Sequence, residues 1–106
     1  AATWEFYPRG EAACPAVRLA REVGSLAGTA PAVFNAANEE CVAAFLDGRL
    51  PFTGILSTVE QVVTHHVQGT SSGEGSAFVS DADLSVEAVL AAEAWARPAA
   101  NQLIGG

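Results

Sequence analysis

A chain of 106 residues, half of them hydrophobic, fits one domain with a real core, because single cores span roughly 50 to 200 residues. Five arginines, no lysine and twelve acidic residues give a net charge of -7, which repels phosphate backbones and anionic lipid and argues against nucleic acid and membrane as partners. No apolar run approaches the roughly 18 residues that cross a bilayer, and no basic leader precedes a signal-like block, so the sequence reads as soluble and cytoplasmic.

Residues 1–10 read as an extended arm: Thr3, Trp4, Glu5, Phe6 and Tyr7 are β-branched, aromatic or alternating, and Pro8 and Gly10 break the run. A single strand cannot satisfy its own backbone groups, so this arm either pairs with a sheet that the chain does not supply or is a tail. The first helix is predicted from Pro15 to about Leu26, with Val17, Leu19, Ala20, Val23 and Leu26 as its apolar face. Thr29 can cap a second helix with Pro31 in its first turn, carrying Val33, Phe34, Ala37, Cys41, Ala44 and Phe45 inward and stopping at Asp47-Gly48.

Thr53 offers the next cap, and Ile55, Leu56, Val59, Val62, Val63 and Val67 form the most regular stripe in the chain. Valines are weak helix formers, so this element depends on packing. The run QGTSSGEGS, residues 68–76, predicts a mobile surface loop, followed at Ala77-Phe78-Val79 by a short extended piece or a lid over the core. Ser85 is a good N-cap, with Leu84 and Val89 at the spacing of a hydrophobic staple, and the last helix then runs through Leu90, Ala91 and Trp95. Pro98 removes a donor and interrupts the pattern, leaving the turn beyond Arg97 undecided. The whole is an all-α, four-helix bundle-like domain at residues 11–106 behind the arm.

Few residue patterns here carry chemistry. Cys14 and Cys41 make no metal-ligand pair and read as reduced and buried. His65 and His66 diverge by about 100° on a helix and cannot hold one metal together; with no HExxH pattern around them, they read as a solvent-facing pair at a helix C-terminus. The serines lack a base at motif spacing, and Gly73-Glu74-Gly75 lacks the strand, helix and lysine of a phosphate loop. Asn35-Ala36-Ala37-Asn38-Glu39-Glu40 is richer: Asn35, Asn38 and Glu39 share a helix face, which could bind a small ligand but reads better as a structural motif that fixes a loop or helix end through hydrogen bonds. No catalytic, cofactor-binding or metal-binding residue is assigned.

The stretch from Gly28 to Phe52, GTAPAVFNAANEECVAAFLDGRLPF, with NAANE as its strongest part, closely resembles the C-terminal helical domain of 1-deoxy-D-xylulose 5-phosphate reductoisomerase. The match begins near Thr3-Trp4-Glu5-Phe6 and resumes at Ser85-Val86-Glu87-Ala88-Val89-Leu90 and Ala94-Trp95-Ala96-Arg97. The resemblance implies a left-handed superhelical arrangement of the helices and an architectural role for the NAANE motif. It also implies a longer, NADPH-dependent parent enzyme of non-mevalonate isoprenoid biosynthesis that uses Mg2+ or Mn2+. The family's dinucleotide fingerprint, metal-binding acidic residues and catalytic motif precede this domain. On that reading Trp4, Phe6 and Tyr7 contact the catalytic domain of the parent, which is the expected partner; otherwise they cover one end of the bundle. Two alternatives stand beside it: a stand-alone acidic helical protein-interaction module using its N-terminal arm for strand addition, and a small-ligand binder using the NAANE face.

Overall fold

The computed structural model describes residues 15–105. The arm at 1–10, with Trp4, Phe6 and Tyr7, and Cys14 lie outside the described residues. Among the described residues, four α-helices follow one another: α1 (Pro15–Leu26), α2 (Ala30–Leu46), α3 (Phe52–Gln68) and α4 (Val86–Ile104), with a 3-10 turn at Asp81–Asp83 before α4. No strand occurs among the described residues, and the domain is all helical.

α2 is the central element and packs against α1, α3 and α4, while α3 also touches α4. Its sequence explains that position. Ala30, Val33, Ala36, Ala37, Cys41 and Ala44 are all fully buried, a set of small side chains wide enough to face several neighbours at close range. α4 answers with Ala92, Ala96 and Ala100 at four-residue spacing, and α3 with Val59, Val62 and Val63. α1 meets chiefly α2, so only a narrow stripe of Leu19 and Val23 is buried, with Leu26 packed beside it.

That geometry corrects several sequence expectations. Val17 is 47% exposed and Ala20 is exposed too, because a helix with one main neighbour buries one stripe, and Val17 lies two residues and about 200° from Leu19. Phe45 sits at the rim rather than inside, its ring edge-on to Phe52 at 5.7 Å. α3 begins one residue earlier than Thr53, with extended Pro51 as its N-cap residue. Thr29 stands at the N-cap of α2 but its hydroxyl makes no cap bond, being engaged elsewhere. Ser85 does cap α4, its hydroxyl accepting from the Ala88 amide at 3.0 Å. α4 continues through Pro98 to Ile104: Pro98 is exposed, and buried Ala96 and Ala100 on either side hold the last turns against the core.

The Gly/Ser-rich connection is tied down on the bundle rather than loose over it. The Ser76 hydroxyl donates to the Ser71 carbonyl at 3.2 Å, and Ser76 is buried. Gly75, at φ +84, lies so close to α4 that a Cβ there would run into the Ala91 carbonyl. Gly28, at φ +56, lies equally close to the Val79 carbonyl. Both contacts need the missing side chain as well as the left-handed backbone. Beyond them Phe78 packs onto the core, so this piece of the connection acts as a cover.

Candidate functional site

Two polar constellations interrupt the apolar packing, and the sequence motif belongs to the first. α2 places Asn35, Asn38, Glu39 and Glu40 over about a turn and a half. The Asn35 amide donates to the Glu39 carboxylate at 3.4 Å, a long and exposed bond. The stronger contacts run across to α4. Arg97 donates through Nη2 to Glu39 Oε1 at 2.9 Å and through Nη1 to Glu40 Oε2 at 3.0 Å, so one guanidinium spans two carboxylates. Asn101, one turn further on, donates to Glu40 Oε1 at 2.9 Å and to the Arg97 carbonyl at 3.1 Å. The Asn101 amide and then the Arg97 guanidinium hold the Glu40 carboxyl below its usual range, and Glu39 and Glu40 push the Arg97 pKa up.

Such an arrangement fixes charge. A carboxylate held by two donors stays charged near neutral pH and is a weaker base than a free one. Its partners connect α2 to α4 rather than to a loop or to a helix end. Asn38 lies apart from the cluster: it is half-buried and lines a groove of about 410 Å³ with Phe34, Phe52, Ile55 and Leu56. Arg97 and Asn101 on α4 bond Glu39 and Glu40 on α2, and of these the roles of Glu40, Arg97 and Asn101 escape sequence reasoning. The only available signal is that Arg97 and Asn101 stand four apart on one face.

The second constellation corrects the histidine reading. His65 is exposed and bonds Thr70 at 2.7 Å, but His66 is fully buried between Phe78 and Trp95. His66 Nδ1 lies 2.9 Å from the Ser76 carbonyl and Nε2 lies 2.7 Å from the Thr29 hydroxyl. A carbonyl only accepts, so Nδ1 carries the hydrogen of the neutral ring and Nε2 accepts from Thr29. The Thr29 oxygen in turn accepts from the Val79 amide at 3.0 Å, and the Thr29 amide donates to the Val79 carbonyl at 3.0 Å. One imidazole therefore joins the start of α2, the end of α3 and the connection to α4. Burial pushes its pKa down, against a smaller upward pull from Ser76. The phase of α3 carries the signal, since position 66 follows Val59, Val62 and Val63 by seven, four and three residues.

Cys41 is a buried free thiol whose pKa is pushed up by burial and then by Glu40, which suppresses the thiolate. Among the described residues no group of three or more His, Cys, Asp or Glu side chains is placed to hold a metal ion. None of the described helices is long and apolar enough to cross a membrane.

The model of one protein family, described as the DXP reductoisomerase C-terminal domain, matches residues 1–99. The 1-deoxy-D-xylulose 5-phosphate reductoisomerase of Kitasatospora griseola is 60% identical over 106 residues, which are 100% of this chain and 25% of that protein. The enzyme of the same name from Streptomyces coelicolor is 57% identical over 97% of the chain and 22% of its own length. That from Cutibacterium acnes is 45% identical over 97% and 26%. The chain thus spans about a quarter of the length of the relatives it matches.

Proposed function

Since the chain belongs to the DXP reductoisomerase C-terminal domain family, we propose that it is the structural C-terminal domain of an NADPH-dependent 1-deoxy-D-xylulose 5-phosphate reductoisomerase. The parent protein would rearrange and reduce that substrate to 2-C-methyl-D-erythritol 4-phosphate, in the cytoplasm, as a step of non-mevalonate isoprenoid biosynthesis. In this reading residues 1–10 are the arm that leads in from the catalytic domain, and 11–106 form the helical support.

What favours support over catalysis is the fate of the motif. The two carboxylates that could act chemically are both bound to one arginine that ties α2 to α4. NADPH and Mg2+ or Mn2+ are proposed to belong to the upstream catalytic domain, which is also the proposed partner. Asn35, Asn38 and Glu39 are proposed to be architectural, and Trp4, Phe6 and Tyr7 to contact that domain.

NADPH oxidation in the presence of the substrate, followed for the full-length protein and for the 106-residue chain alone, tests this reading. Turnover is expected only from the full-length protein. Turnover by the isolated chain, free of contaminating enzyme, would falsify it.

A further inference from the structure

We infer that the groove where α1, α2 and α3 converge is the seat of the upstream part of the longer protein. This rests on the proposed function above and adds which face of the domain is covered. The groove of about 410 Å³ runs from Ala16 on α1, past Phe34 and Asn38 on α2, to Phe52, Ile55 and Leu56 on α3. None of the described lining residues is charged, in a chain whose net charge is -7, so an apolar partner meets these walls without stripping water from an ion.

Phe52, on the groove's wall, is 72% exposed, and Phe45 stacks edge-on to it at 5.7 Å. Large aromatic side chains held in water beside an uncharged hollow are the composition of an interface centre, not of a solvated surface. Asn38 supplies the single amide that lines the hollow, and it makes no hydrogen bond among the described residues. Its donor and acceptor are thus available to the backbone of an incoming segment.

The length and course of the chain choose the occupant. The matched relatives are about four times longer than this chain, so most of such a protein lies outside it. The matching family model is described as a C-terminal domain, and α1, the first of the described helices, carries Ala16, its second residue, on the groove's wall. Another apolar patch among the described residues, Leu84, Val86, Val89 and Leu90, is formed by one continuous stretch at the start of α4 and is flanked by Glu87. The occupant is therefore an apolar segment of the upstream region, offering a bulky side chain to Phe34 and Phe52 and a main-chain group to Asn38.

The test uses the full-length protein with p-benzoylphenylalanine, a photo-cross-linker, in place of Phe52, and a second version with it in place of Leu90. Both positions are exposed, so neither replacement disturbs the core. After irradiation and digestion, cross-linked peptides from position 52 are expected to join residues upstream of the 106-residue stretch, whether or not position 90 also reacts. Upstream cross-links from position 90 but none from 52 would overturn the groove assignment while leaving the support role standing. Cross-links from neither position would remove both. Products joining position 52 to a second copy, or to residues 1–14 of the same chain, would also overturn the inference.

Discussion

His66 carries the sharpest consequence at the scale of single residues. Its folded-state pKa is depressed from the ordinary 6.5, so between that value and the lower folded value the unfolded chain binds a proton that the folded chain does not. Stability is fully present above pH 6.5 and falls as the pH drops through this window. The slope is at most about 1.4 kcal/mol per pH unit. Urea unfolding of the domain at pH 7.5 and 5.5 is expected to show that loss, and His66→Leu, weaker overall because Thr29 and Ser76 lose a partner, is expected to lack it in this range. Glu40 acts in a separate, more acidic window. Its pKa is lowered from 4.5, so its contribution is present above 4.5 and is lost as the pH falls through the folded value. Arg97 is 39% exposed and Glu40 27% exposed, and solvent screening therefore limits their coupling to about 0.5 to 1 kcal/mol. A double-mutant cycle with Arg97→Met and Glu40→Gln measures it, and the coupling should shrink in 1 M salt, where the Debye length is about 3 Å.

The elements divide into those whose pattern is local and those that are fixed by tertiary contact. The helices were legible because Leu19 and Val23, the valines of α3 and the Ser85 cap repeat or punctuate at helical spacing. Pro98 misleads because a proline in a helix costs about 3 kcal/mol on its own, a cost that packing at Ala96 and Ala100 offsets and that no local pattern displays. Residues 68–76 mislead for the same reason: glycine and serine composition describes freedom, whereas the Ala91 carbonyl against Gly75 and the Ser76 carbonyl on His66 are contacts made across the fold. The motif was legible as a polar run on a helix, but its partners on α4 were not, because Glu40 and Asn101 are 61 positions apart. Gly75→Ala and Gly28→Ala should each lower stability by about 2 kcal/mol or more, since strain of roughly 1 to 3 kcal/mol from the left-handed backbone is joined by collision with a carbonyl. Thermal unfolding of each variant measures this, and an unchanged midpoint for Gly75→Ala would mean that the connection stands off α4.

At the scale of the whole molecule, the described residues form an alanine-rich interior with a neutral apolar groove on one face, in a chain of net charge -7. Small side chains let α2 and α4 approach closely but bury little apolar area per contact, and the Arg97 bridge and the His66 cluster supply connections that alanine does not. Such a body is suited to bracing a neighbour, and removal is the direct way to ask whether it does. The measurement is NADPH-dependent turnover and thermal unfolding of the full-length protein compared with a version that ends before this chain. A braced catalytic domain is expected to lose most of its turnover and to unfold at lower temperature when the helical domain is gone. A truncated protein that turns over and melts like the full-length one would contradict the supporting role.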